Sequence, residues 1–164
     1  IIQIGTFGIL GAITAMVASW FGGRADKRFG PKPVISLSIV VLILVCLIIV
    51  GMTREGVWGI PMDPASNMPD ILFYICGGLI GAAGGTLQAA SRTMMVRHTT
   101  PDRATEAFGL FALSGKVASF LSPFLIGVVT AASGSQRIGI SPLIGLFLVG
   151  LVLLIWVKPR GEQA

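Results

Sequence analysis

The residue with the most chemistry to account for is a lysine in the middle of an apolar segment. Ala104 to Ala132, ATEAFGLFALSGKVASFLSPFLIGVVTAA, is long enough to cross a bilayer, and Lys116 falls near its centre. The one carboxylate of the stretch is Glu106, at its start. A helical rise of about 1.5 Å per residue puts Lys116 about 15 Å beyond it, roughly half the hydrocarbon thickness. A charge at that depth costs about 2.5–3.5 kcal/mol on insertion scales and is tolerated where it faces a bundle interior or a water-filled cavity. The seven acids, Asp26, Glu55, Asp63, Asp70, Asp102, Glu106 and Glu162, all sit at or beyond the ends of apolar spans. The partner of the ammonium is therefore a carboxylate elsewhere, a bound anion, backbone carbonyls or water. Ala112, Lys116, Ser119 and Pro123 share one helical face, and Pro123 frees a backbone carbonyl on it. Three readings stand: a site for an anionic group or a proton, a structural pair with a missing segment, or snorkelling to an interface.

Other candidates are weaker. Gly77, Gly81 and Gly85 repeat every four residues, a spacing that lets helix backbones approach closely. Gln88 and Arg92 continue that face. Gln88 either hydrogen-bonds a ligand or bridges helices. Arg92 reads as a gate or latch partner for Glu106 or Asp26, or as a snorkelling cation. His98, the one histidine, has no carboxylate or nucleophile beside it and reads as solvated surface. Asp63 and Asp70 fall in a proline-rich loop and read as solvated, not as a metal site. Cys46 and Cys76 lie inside apolar spans and read as small buried hydrophobes. No zinc spacing, phosphate-cradling glycine loop or nucleophile elbow occurs, so neither an enzyme nor a bound metal or cofactor is expected.

The elements that position these residues follow from composition. The chain has 164 residues, 54% hydrophobic and only 12% charged, with a mean hydropathy of +0.88. Soluble domains carry about 25% charged residues. An all-α integral membrane protein is expected, with about five spans at 1–21, 34–52, 71–95, 105–132 and 138–157. The net charge of +5 does not indicate nucleic-acid binding, because the cations sit in short connectors. Arg24, Lys27, Arg28, Lys32, Arg92, Arg97, Arg103, Lys158 and Arg160 fall on one side, and only Arg54 and Arg137 on the other. The positive-inside rule makes the first side, with the tail 158–164, cytoplasmic. The spans at 34–52 and 138–157 are nearly unbroken aliphatics and are expected to face lipid. The chain opens inside a hydrophobic segment with no basic flank, which suggests the C-terminal piece of something longer.

Two stretches carry a family likeness. Gly22-Gly23-Arg24-Ala25-Asp26-Lys27-Arg28-Phe29-Gly30-Pro31-Lys32-Pro33 resembles the loop signature of the major facilitator superfamily, with four residues from Asp26 to Gly30 where three are usual. Its first glycine, Gly22, would permit close helix packing. Its Asp26, Arg28 and Gly30 would belong to a latch between half-bundles. Downstream, Gln88-Ala89 with Ser91-Arg92, Glu106, Phe108-Gly109, Ser114-Gly115-Lys116, Pro123 and Gly134-Ser135-Gln136-Arg137 are similar to the vacuole-effluxer branch, which includes the fungal autophagy-related vacuolar amino-acid exporters. Leu87 is inserted relative to that pattern, and Ala90 and Ser122 replace a leucine and a glycine. The resemblance implies helices eight to twelve of a twelve-helix secondary transporter, with the N-terminal half absent and residues 1–157 forming part of the C-terminal half-bundle. In that fold the second and fifth spans here are peripheral, and the other three border the cavity. Its partners would be the bilayer, the missing half and a small solute such as an amino acid. Its home would be the cell membrane of a bacterium or the vacuolar membrane of a fungus. Lys116, Gln88 and Ser119 would bind substrate or couple its movement. Gly22, Asp26, Arg28, Gly30, Arg92 and Glu106 would form the cytoplasmic gate, and Gly77, Gly81, Gly85 and Pro123 would pack helices. The alternative is a non-transporting polytopic membrane protein in which Lys116 only fixes helix register.

Overall fold

The computed structural model describes residues 2–53, 56–61 and 67–158. Arg54, Glu55, Asp63, Pro64, Arg160 and Glu162 lie outside the described residues. Helix α1 is Ile2–Phe29, α2 is Pro31–Gly51, α3 is Met68–Arg97, α4 is Ala104–Ser133, α5 is Gln136–Gly139 and α6 is Ser141–Trp156. A two-residue hairpin pairs strand β1, Gly56–Val57, antiparallel with β2, Ile60–Pro61. Five segments are long and apolar enough to cross a membrane, with α5 and α6 counting as one. The chain is an all-α multi-pass membrane protein.

Helices α1 and α3 outrun their apolar spans at the basic end. The stretch 22–33 is not a loop: α1 continues to Phe29 and α2 begins at Pro31. Apolarity marks where oil ends, whereas a helix in water still closes its own hydrogen bonds and can run on. The break between them is Gly30, whose φ of 88° is a left-handed conformation that glycine adopts without strain. Pro31 then starts α2, where a missing N–H costs nothing.

Helix α3 is the hub, packed on α1 along one face and α2 along another. Glycine makes the α1 contact possible. A Cβ on Gly81 would fall on the Gly11 carbonyl oxygen, and one on Gly85 would come within 2.8 Å of the Ala15 carbonyl oxygen. Gly77 receives the ring of Phe7, which stacks on Phe73 with centroids 4.8 Å apart.

The aliphatic span α2 departs from expectation. It was expected at the lipid, yet Val34, Ile35, Ser38, Ile39, Leu42, Val45 and Cys46 are all buried in the bundle. Packing against a neighbour and packing against lipid tails both satisfy an apolar helix, so its composition does not choose between them. Only its far face, Leu37, Val40, Leu44 and Leu47, is exposed. Helix α6 exposes one side, with Leu148, Val149, Val152, Leu153, Ile155 and Trp156 uncovered, and Leu154 enters the core formed by Val34, Ile35, Ile39, Ala90 and Met94. Cys46 and Cys76 are buried and unpaired.

Candidate functional site

Helix α4 carries Lys116, and none of its residues is buried. Its partly covered positions are Ala104, Ala107 and Phe111 near its start and Ser122, Leu125, Ile126, Val129 and Thr130 towards its end, and every residue from Ala112 to Leu121 is exposed. Lys116 lies in this uncovered middle of the helix and is exposed, as are Ala112, Ser119 and Pro123. Among the described residues no acid forms an ion pair with it. Ser119 Oγ donates to the Gly115 carbonyl at 2.8 Å, and Ser114 Oγ to the Phe111 carbonyl at 2.8 Å. Pro123 removes the N–H that would have bonded the Ser119 carbonyl, so this acceptor opens on the Lys116 face. The face thus presents one cation, one free carbonyl and small side chains. Gln88 is exposed on α3, and the structure does not bring it into contact with Lys116.

At the basic end the residues expected to form a latch are arranged differently from the sequence reading. Asp26, in the last turn of α1, is only 5% exposed. The guanidinium facing it is that of Arg97, with Nη2 3.6 Å from Oδ1, and not that of Arg92. At 3.6 Å the contact is an ion pair without a hydrogen bond, and Oδ1 is buried with no donor of its own. Arg92 is exposed five residues earlier. Glu106 does not reach it either. It lines a cavity of 360 Å³ with His98, Thr99, Thr100 and Arg103. Gly22 packs against Thr86, where a Cβ would come within 2.6 Å of the threonine methyl. Arg28 lies 5.3 Å from the centroid of the Phe29 ring, and Arg24 3.3 Å from that of Trp20.

Three cationic or ring contacts escaped the sequence reading. Lys32 Nζ donates to the carbonyls of Ile155 at 3.0 Å and Val157 at 2.7 Å, tying α2 to the end of α6. Arg137 donates to the Met52 carbonyl at the other end of α2. His98 is exposed, as expected of a surface residue, yet its ring is engaged. Nδ1 meets the Met94 carbonyl at 2.8 Å and Nε2 the Lys158 carbonyl at 2.9 Å. A neutral ring can donate to only one of them, a protonated ring to both. Bonds between residues 60 to 125 positions apart leave no local pattern. The one available signal was that helix C-termini attract cations. Among the described residues no group of three or more His, Cys, Asp or Glu could hold a metal ion.

The comparisons with known proteins agree with this architecture. Residues 1–163 match the family model described as vacuole effluxer Atg22 like. An uncharacterized MFS-type transporter, YxiO, of Bacillus subtilis is 29% identical over 148 residues, covering 88% of this chain and 31% of the relative. The efflux pump azaK of Aspergillus niger is 29% identical, covering 77% of this chain and 24% of the relative. Autophagy-related protein 22 of Cryptococcus neoformans is 24% identical, with 90% and 25% covered. The chain thus spans about a quarter to a third of the length of the curated relatives it matches. No solved structure matches it.

Proposed function

We propose that this chain, which belongs to the Atg22-like vacuole effluxer family of the major facilitator superfamily, is part of the C-terminal half-bundle of a secondary transporter that exports small solutes, amino acids among them. Transport proceeds by alternating access, the two half-bundles rocking about a site near the bilayer midplane. The observation that carries this reading is the exposed cation on α4. Lys116 sits at mid-helix on a face that none of the described residues covers. Oil on that face would leave a charge unpaid by several kcal/mol, whereas an aqueous cavity between half-bundles accommodates it.

In this scheme the Ala112, Lys116, Ser119 and Pro123 face lines the cavity. Lys116 binds a substrate carboxylate or carries the coupling proton, with Gln88 as a second polar contact. Asp26 and Arg97 form the latch at the cytoplasmic end, where the bare Oδ1 keeps a hydrogen-bonding position for a donor of the other half. The family's description as an effluxer and a relative's as an efflux pump support export. The test is uptake and counterflow of amino acids in proteoliposomes containing the intact transporter with Lys116→Ala, Lys116→Gln or Lys116→Arg. Loss in the first two with partial retention in the third supports the site, and full transport in all three removes it. A structural lysine in a non-transporting bundle is the second reading, favoured by the absence of any contact between Lys116 and Gln88 among the described residues. A cysteine at 116 or 119 that resists aqueous thiol reagents from both sides would select it.

A further inference from the structure

We propose that a basic pocket at the corner between α1 and α2 holds the headgroup of an anionic phospholipid, one of whose acyl chains lies along α2. The pocket has a volume of 620 Å³, and Arg28, Lys32, Ser36 and Arg97 line it together with Phe29. Three cations thus converge on one cavity. The nearby acid, Asp26, is buried and committed to Arg97, so the pocket keeps an excess of positive charge. Lys32 spends two donors on the Ile155 and Val157 carbonyls and retains a third. Arg28 and Arg97 each offer a planar fork suited to phosphate oxygens, and Ser36 adds a hydroxyl.

A free phosphate would satisfy the charges equally well. What favours a lipid is the surface that continues from the pocket. Below Pro33 and Ser36, α2 exposes Leu37, Val40, Leu44 and Leu47 at steps of three and four residues, one continuous apolar stripe. From Leu37 to Leu47 the stripe runs about 15 Å, the depth of roughly one leaflet of hydrocarbon. A charged cup at the head of a leaflet-long apolar track has the profile of a phospholipid, and basic pockets between helices take such headgroups. The same stripe belongs to a helix that is otherwise packed into the bundle, so a lipid seated there touches the element that holds α3 and α6 together.

The test uses the intact protein in nanodiscs of equal parts phosphatidylcholine and phosphatidylglycerol, followed by native mass spectrometry of the lipids that stay bound. Retained phosphatidylglycerol should exceed phosphatidylcholine by about fivefold or more, and Arg28→Gln should reduce that preference about fivefold. Lys27→Gln, which removes an exposed cation of the same end outside the pocket, should leave it unchanged. Equal retention of the two lipids by the unmutated protein overturns the proposal without reliance on any variant. Millimolar inorganic phosphate provides the second arm. If it displaces the retained lipid and raises the melting temperature of delipidated protein as much as phosphatidylglycerol does, the site takes soluble anions and the lipid assignment falls.

Discussion

Lys116 and Gly81 show how differently single residues act in this chain. Lys116 supports nothing in the described fold, so its replacement should leave folding intact and appear in transport alone. A lost hydrogen bond to a charged group amounts to about 1.5–3 kcal/mol, so Lys116→Gln should slow amino-acid counterflow about tenfold or more at unchanged expression. Gly81 is the converse. Any side chain there meets the Gly11 carbonyl, and Gly81→Val should destabilise the bundle by about 1–3 kcal/mol, read as a lower melting temperature. Gly84, with open space around its Cβ position, should accept alanine without loss. Asp26 lies between these cases. In a double-mutant cycle, Asp26→Asn and Arg97→Gln should couple by about 1 kcal/mol, whereas Asp26→Asn and Arg92→Gln should simply add.

The helices are held end to end by side chains binding the carbonyls that helix termini leave bare. Lys32 holds the end of α6 and Arg137 the end of α2, at opposite faces of the membrane. Lys32→Met should free the last turn of α6, and protease added on the basic side should then remove the tail after Trp156 several-fold faster. Arg137→Ala should leave that cleavage unchanged. Helix α4 buries none of its residues, and Pro123 opens its ladder beside Ser119. Pro123→Ala restores the bond and should hold or raise stability while slowing transport, if the free carbonyl is used at the cavity.

At the scale of the molecule, the described helices make an asymmetric cluster. α2 and α3 are at its centre, and α4 is exposed around most of its circumference. No described residue covers the middle of this spanning helix or its central cation, and the proposed function sets a water-filled cavity against it. In the complete transporter, cysteines at Ala112 and Ser119 should react with membrane-impermeant thiol reagents, and cysteines at Leu148 and Val152 on exposed α6 should not. Reaction at all four positions, or at none, would contradict a cavity bordered by one face of α4.

The amino-acid sequence by itself determined that the chain is a helical membrane protein with five spans. Twenty-residue apolar runs leave the backbone no other way to satisfy its hydrogen bonds in oil. It also singled out Lys116, because a charge among apolar neighbours is conspicuous in one dimension, and the Gly77, Gly81 and Gly85 face, because a repeat of four is a helical contact. Only the tertiary structure decided which helix each face meets. The aliphatic α2 entered the bundle where lipid was expected, Asp26 took Arg97 in place of Arg92, and Lys32, His98 and Arg137 found carbonyls far along the chain. Hydropathy records the cost of leaving water. The choice between neighbours of equal polarity rests on shape and reach, which appear only once the helices are set side by side.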